Sequence, residues 1–358
     1  MAKFKKIGIL TSGGDAPGMN AAIRAAARKA LAEGIEVVGI LEGYNGLING
    51  NVIPLDARAV SNIITHGGTI LYSSRCPEFK TEEGVQKAVE TCKKHGIDAV
   101  VALGGDGTFR GATWLTKHGI PAVGIPCTID NDITATEYTI GFDTAMNTVI
   151  QMVDSLRETC ESHSRCNIVE VMGRDCGNIA LYAGIAAGSV VIAIPEMDFD
   201  EDYAISVLRS ARNHGKRGLI GVFSEGMAKK FGSSYCEDFA KKVGETTGID
   251  TRFARLGHVV RGGSPSLRDR FTATQMGARA VNCLLEGKSN VVIGFQNGKI
   301  TAIDINYALV LDRMYKGLLE DGDLDGFNNE EIEEMKIICA NRREKIERLY
   351  NMSYEICE

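Results

Sequence analysis

Three short segments carry residue types suited to phosphoryl chemistry. Thr11-Ser12-Gly13-Gly14-Asp15-Ala16-Pro17-Gly18 follows the apolar run Ile7–Leu10, and Gly104-Gly105-Asp106-Gly107-Thr108 follows Ala99–Leu103. Backbone without Cβ lets phosphate oxygens come close, and a helix N-terminus adds free N–H groups and a positive dipole end. An aspartate in such a turn repels phosphate unless a cation lies between them. Mg²⁺ suits that place, because it takes one or two carboxylates together with phosphate oxygens. The pair of turns therefore points to a nucleoside triphosphate–magnesium site. Neither turn is a Walker loop or a GxGxxG fingerprint, and each alone also reads as a tight turn of an α/β fold. The third segment is Pro126-Cys127-Thr128-Ile129-Asp130-Asn131-Asp132, directly after Ala122–Ile125. One aspartate can take a proton from an attacking hydroxyl while the other holds the cation or orients the first. Like charges this close separate the apparent pKa values of the pair. An Asx-rich turn capping a helix gives the same pattern; the two glycine turns upstream favour chemistry.

The elements that must position these segments alternate in type. Strand-like runs lie at Ile7–Leu10, Glu36–Ile40, Ala99–Leu103, Ala122–Ile125, Ile168–Val171, Val190–Ile194, Leu219–Phe223 and Val291–Phe295. Helix-like runs lie at Met19–Glu33, closed by Gly34, and at Val85–Lys94, Ala145–Cys160, Ala180–Ala187, Asp202–Asn213 and Ala273–Leu285. Strands bounded by helices imply parallel sheets with right-handed crossovers, whose ligands sit at the carboxyl ends of the strands. From about Leu319 the chain turns acidic, then becomes a charged helical segment, Asn329–Tyr350, expected to be a surface element or oligomer contact rather than chemistry.

Composition bounds the partners. The chain has 358 residues, 44% of them hydrophobic, which suffices for a large core and two domains. Its net charge of −6 speaks against a general nucleic-acid or anionic-membrane binder. The ten cysteines are scattered, with no CxxC pair and no zinc spacing. No apolar run reaches transmembrane length and no signal peptide is visible, so a cytoplasmic protein with reduced thiols is expected.

Taken in order, these stretches resemble the bacterial-type ATP-dependent 6-phosphofructokinase family. The likeness runs from Ile7 to about Gly294 and includes Leu10–Arg28, Gly67-Gly68-Thr69 through Phe79, Gly104–Thr108, Thr128–Asp132, Tyr138–Phe142, Val169–Gly177, Pro195-Glu196 and Leu256–Asp269. Gly-Gly-Asp-Gly-Thr alone would be shared with NAD kinases and diacylglycerol kinases. The resemblance implies an α/β fold of two interleaved Rossmann-like lobes, each a mostly parallel sheet flanked by helices in a three-layer sandwich. Residues 1–141 plus about 256–305 would form the nucleotide lobe. Residues 142–255 plus 306–328 would form the sugar-phosphate lobe, and 329–358 a charged helical tail.

It also implies roles. Gly14 would present its N–H to the transferring phosphoryl group, and Arg75 and Cys76 would border ATP. Gly105, Asp106, Gly107 and Thr108 would cradle the nucleotide, with Asp106 on Mg²⁺. Asp130 would be the base for the sugar 1-hydroxyl, assisted by Thr128 and Asp132, with Ile129 beside it. Met172, Gly173, Arg174 and Glu225 would bind the sugar of fructose 6-phosphate, Arg174 being counted with the catalytic set. Arg165, Arg252, His258 and Arg261 would hold its 6-phosphate, Arg165 and Arg252 reaching in from a neighbouring subunit of a homotetramer. The segment Arg252–Arg270 carries five arginines and one histidine, a local anion site in an acidic protein.

Departures from the family pattern touch donor and regulation. Gly107 goes with ATP where aspartate would go with pyrophosphate. Cys127 stands where glycine or lysine is usual, and lacks the lysine that meets pyrophosphate. Arg24, Arg28, Arg157, Lys216 and Arg217 match the basic part of an effector site for ADP or phosphoenolpyruvate. Its acidic residue falls at Val190, and two basic positions become Ala57 and His214, so weakened Mg-ADP activation is expected. A few residues are inserted around Lys229–Cys236. Two alternatives stay open: the same reaction with pyrophosphate, and a catalytically silent sugar-phosphate sensor, which would have no need of a base at Asp130. A tagatose 6-phosphate preference also remains open, since epimer choice depends on pocket geometry.

Overall fold

In the computed structural model, residues 4–357 are described, so the reading of the first three residues as a leaderless start lies outside them, as does Glu358. The strands are β1 (Lys6–Thr11), β2 (Glu36–Ile40), β3 (Val52–Pro54), β4 (Ala99–Gly104), β5 (Ala122–Pro126), β6 (Cys166–Val171), β7 (Val191–Ala193), β8 (Leu219–Ser224), β9 (Thr251–Arg255), β10 (Val291–Gln296) and β11 (Lys299–Asp304). The helices are α1 (Met19–Ala32), α2 (Gly43–Asn49), α3 (Glu82–His95), α4 (Asp106–Lys117), α5 (Phe142–His163), α6 (Asn178–Ala186), α7 (Glu201–Asn213), α8 (Met227–Phe231), α9 (Tyr235–Thr247), α10 (Leu267–Leu285), α11 (Ile305–Lys316) and α12 (Asn329–Cys357).

All eight sequence-predicted strands form. Six of them, β1, β4, β5, β6, β7 and β8, are buried almost throughout, and a strand covered on both faces reads as a continuous apolar run. The unforeseen β3, β9 and β11 are edge strands. In β9 the sequence Thr-Arg-Phe-Ala-Arg has no buried residue, so no apolar run marks it.

The chain forms two compact units. The first comprises residues 1–129, 133–143 and 261–339. Its seven-stranded sheet has the order β11-β10-β5-β4-β1-β2-β3. The five inner strands are parallel, and the two outer ones, β11 and β3, are antiparallel to their neighbours. Helices α1 and α10 approach closely because both present small residues. A Cβ on Gly277 of α10 would lie 2.5 Å from the Ala22 carbonyl and 2.9 Å from Ala25 Cβ. The second unit comprises residues 130–132, 144–260 and 340–358, with an all-parallel sheet in the order β7-β8-β6-β9.

Two expectations are corrected. Residues 306–328 do not join the second unit; Ile305, Ala308, Val310 and Leu311 of α11 are buried in the first unit's core with Leu10 and Val100. The charged tail is not a mere surface element. Met335 and Cys339 of α12 enter that same core, and Ile346, Tyr350 and Ser353 are buried further along. Apolar residues every three to four positions give α12 an inward stripe that its many charges conceal in sequence.

Candidate active site

Within the first unit, the two glycine turns lie side by side. β1 and β4 pair in parallel, with Thr11 opposite Leu103. The chain leaves them in opposite directions across the sheet, β1 toward β2 and β4 toward β5. Such a switch point leaves a crevice at the carboxyl ends of the strands. The turns are tied together: the Ser12 N–H donates to Leu103 O at 2.9 Å, and Thr108 Oγ1 donates to Ser12 O at 3.1 Å. Only glycine fits at Gly104, where a Cβ would lie 2.3 Å from Ser12 O. Thr108 braces the first turn from the second. Its hydroxyl is spent on Ser12, its carbonyl accepts from Tyr44, and it is buried.

Gly105 and Gly107 differ from Gly104. A Cβ on either would meet nothing within 4 Å, so open space faces them. Gly105 caps α4 without a side-chain hydrogen bond, which leaves the positive end of a twelve-residue helix facing that space. The segment 69–76 is fastened beside the first turn. Thr11 Oγ1 donates to Tyr72 O at 2.6 Å, and Ser73 Oγ donates to Gly13 O. This brings exposed Arg75 and half-buried Cys76 into the neighbourhood of Gly13 and Gly14. Arg261 also belongs to the first unit. Its Nη1 donates to Asp15 O at 3.1 Å and would lie 2.7 Å from a Cβ on Gly14.

Asp106 stands in the first turn of α4 and faces a cation that sequence reading missed. Lys316 Nζ on α11 lies 3.5 Å from Asp106 Oδ2 and 2.5 Å from Asp312 Oδ2. Asp312 is buried and also accepts from Thr134 Oγ1 at 2.8 Å. The only sequence signal for Lys316 is its i,i+4 spacing from Asp312. Among the described residues no cluster of three acidic, histidine or cysteine side chains is poised to enclose a metal. A single carboxylate at a phosphate cradle fits Mg²⁺, which keeps waters and takes its other ligands from substrate phosphates.

Cys127 does not line open space. It is 1% exposed, its N–H donates to Gly104 O at 2.9 Å, and burial pushes its thiol well above the ordinary value. Its place behind the β4 turn makes it a packing residue. Ile129 is fully buried as well, so only its backbone can meet a ligand. Thr128 lies half-buried with its carbonyl accepting from Thr139 Oγ1 at 2.7 Å.

The second unit contains Asp130 to Asp132. Asp130 is 6% exposed and Asp132 half-buried. Asn131 between them is left-handed, with φ 50°. The loop carbonyls are held by side chains from elsewhere: Asn178 Nδ2 donates to Asn131 O at 2.9 Å and Arg342 Nη2 donates to the same oxygen at 2.5 Å. Cys176 Sγ donates to Asp130 O at 3.6 Å. Asn178 directly follows the Val169–Gly177 stretch, whereas nothing in sequence marks Arg342.

β6 and β8 are neighbours, so their carboxyl ends meet. Glu225 Oε1 accepts from the Gly173 N–H at 3.1 Å and the Arg174 N–H at 2.7 Å. Arg174 is exposed and left-handed with φ 56°, and Met172 is half-buried. The structure thus brings Met172, Gly173, Arg174 and Glu225 together. Arg165 and Arg252 gather elsewhere. Arg165 Nε lies 2.6 Å from Asp250 Oδ2, and Arg252 Nη2 lies 3.1 Å from Asp250 Oδ1. The Arg165 hydrogen bond holds the Asp250 carboxyl below the usual range. Arg165 precedes β6 and Met172 follows it. A strand of this length separates them by about 20 Å. His258 is exposed in the turn Gly257–Arg261.

The basic effector candidates are divided between the two units. Arg24 and Arg28 lie one turn apart on α1, Arg28 donating to Ala57 O at 3.4 Å. Arg157 donates to Ala187 O, Arg217 Nε donates to Glu161 O at 3.0 Å, and Lys216 is half-buried beside it. Val190, at the acidic position of the pattern, is buried in the second unit's core.

A doubly wound sheet with two glycine turns at its switch point places the chain among α/β proteins of nucleotide-binding architecture. The phosphofructokinase family model matches residues 6–284, and the chain belongs to the phosphofructokinase family. It is 52% identical over 312 residues to an "ATP-dependent 6-phosphofructokinase 1" of Clostridium perfringens, covering 87% of this chain and 96% of that protein. Identity to the "ATP-dependent 6-phosphofructokinase" of Halalkalibacterium halodurans is 52% over 306 residues, covering 86% and 94%. Among solved structures, phosphofructokinase from Saccharomyces cerevisiae superposes with a TM-score of 0.82 at 33% identity. That match covers 93% of this chain, which spans only 50% of the yeast chain's length.

Proposed function

We propose that this protein is an ATP-dependent 6-phosphofructokinase. It transfers the γ-phosphoryl group of MgATP to the 1-hydroxyl of fructose 6-phosphate, giving fructose 1,6-bisphosphate and ADP. The observation that carries the reading is the pair of laced glycine turns at the β1/β4 switch point, with open space before Gly105 and Gly107. Phosphoryl transfer needs positioning and charge neutralisation rather than covalent chemistry, and these turns supply both.

Asp130 takes the proton from the sugar 1-hydroxyl. That oxygen bonds to the γ-phosphorus as the bond to the departing ADP oxygen breaks. Thr128 and Asp132 assist, and the backbone N–H of Gly14 meets the transferring group. Arg75 neutralises charge developing on the phosphates. Asp106 would hold Mg²⁺, which would supply charge neutralisation at the donor phosphates; Lys316 balances that carboxylate otherwise. Met172, Gly173, Arg174 and Glu225 hold the sugar. Arg165 and Arg252 sit at the opposite end of β6 from Arg174, which supports their serving a neighbouring copy's 6-phosphate alongside that copy's His258 and Arg261. A homo-oligomer, a tetramer by the family pattern, is then required for activity. No disulfide joins the described cysteines, and no helix among the described residues is long and apolar enough to cross a membrane. A cytoplasmic setting belongs to the same reading. Loss of the acidic effector residue at Val190 supports weak activation by Mg-ADP.

The test is product formation from fructose 6-phosphate and Mg²⁺ with ATP or pyrophosphate as donor. Activity with ATP alone is expected; activity with pyrophosphate, or with neither, overturns the donor or the reaction. Asp130→Ser should lower turnover by about two orders of magnitude or more, the scale of a general base. Near-normal turnover removes Asp130 from its role.

A further inference from the structure

We infer that Arg342, on the C-terminal helix α12, is a positioning residue for the Asp130–Asp132 loop; the inference rests on the proposed role of Asp130. The family match ends at residue 284, so this helix lies outside it. Arg342 nonetheless donates from Nη2 to the Asn131 carbonyl at 2.5 Å. Asn178 Nδ2 donates to the same oxygen at 2.9 Å. Both of that carbonyl's lone pairs are thus engaged, one by a neutral amide and one by a full positive charge.

The clamp acts where the backbone needs it. Asn131 is left-handed with φ 50°, a conformation that asparagine tolerates better than other non-glycine residues, and the two donors to its carbonyl hold it in place. The orientation of its two peptide planes sets the directions in which Asp130 and Asp132 leave the chain. Releasing the carbonyl frees those planes, and a displacement of about 1 Å at a reacting group can cost about 100-fold in rate. The helix that delivers Arg342 is itself fixed. Lys345 Nζ lies 5.7 Å from the Tyr182 ring centroid, Tyr354 OH donates to Ile192 O at 3.4 Å, and Ser353 is buried. The Arg342 charge also reaches Cys176 and Glu196, pulling both groups toward their ionised forms against burial.

The experiment compares Arg342→Ala, Arg342→Lys and Asp130→Ser in the full chain, reading kcat, KM for each substrate and thermal midpoint. Arg342→Ala should lose roughly 10- to 100-fold in kcat, with KM for ATP changed less than about threefold and the protein folded. Arg342→Lys should recover part of the loss, and guanidinium ion added to Arg342→Ala should recover part as well. A lowered thermal midpoint with unchanged kcat makes Arg342 a helix anchor and overturns the inference. So does a kcat loss that guanidinium and lysine both fail to relieve. Asp130→Ser separates the two claims. If it turns over near-normally, Asp130 is not the base and the positioning inference fails with it, while the reaction itself stands. If it is inactive while Arg342→Ala turns over normally, only the positioning role fails.

Discussion

Gly107→Ala should make the protein slightly more stable and a much poorer kinase. A Cβ at this position meets nothing within 4 Å, so the folded chain accepts it without strain. Gly107 lies in the first turn of α4, where exchanging glycine for alanine favours the helix by up to about 1 kcal/mol. For a chain of this size that raises the thermal midpoint by roughly 1–3 °C. The Cα–Cβ bonds of a helix tilt toward its N-terminus, so the added methyl projects into the space where a phosphate would accept the first N–H groups. Losing one such charge-assisted hydrogen bond costs about 1.5–3 kcal/mol. That corresponds to roughly a 10- to 150-fold fall in kcat/KM for ATP, at about 1.4 kcal/mol per tenfold. The assays are a thermal melt and steady-state kinetics with ATP varied at saturating fructose 6-phosphate. Gly277→Ala is the contrast. Its Cβ would press to 2.5 Å from the Ala22 carbonyl, so it should lower stability by about 1–3 kcal/mol while leaving KM for ATP alone. An unchanged kcat/KM for ATP in Gly107→Ala would show that phosphate does not bind before α4.

Two further predictions rest on single contacts. Lys316→Met leaves buried Asp312 without its cation and should lower stability by roughly 1–3 kcal/mol, discounted because the lysine is 29% exposed; Asp312→Asn in the same chain should recover part of that in denaturant titrations, and equal stability of wild type and Lys316→Met would refute the pairing. Burial raises the Glu196 carboxyl above its ordinary value near 4.5, against the Gly177 N–H that donates to it. The folded form then binds its proton more tightly than the unfolded chain, so its stabilising share is full below pH 4.5 and is lost as pH climbs through the raised value. Glu196→Gln should gain stability relative to wild type across that window and hold the gain above it; a difference that stays flat with pH contradicts this.

Local patterns in the chain suffice to mark the inner strands and the chemistry-bearing turns. A strand buried on both faces must be apolar throughout, and a backbone that approaches phosphate must lack Cβ, so β1, β4 and the glycine turns are written locally. The carboxyl-end placement of Pro126–Asp132 and of Met172–Arg174 follows from strand direction alone. The edge strand β9 and the inward stripe of α12 were not legible, because charged residues there obscure the apolar pattern. Tertiary structure alone decided how the segments are shared out. Only the pairing of β1 with β4 brings two turns 90 residues apart into one cradle. Only strand length shows that Arg165 and Arg174 stand at opposite ends of β6. Thr108 belongs to a phosphate-type turn in sequence, yet packing turns its hydroxyl inward to Ser12, and Cys127, at a position tied to donor choice, is buried. Lys316 and Arg342 reach Asp106 and Asn131 from about 210 residues away. Such contacts depend on how helices dock, which the folded chain settles by burying each helix's apolar face, and no local pattern encodes it.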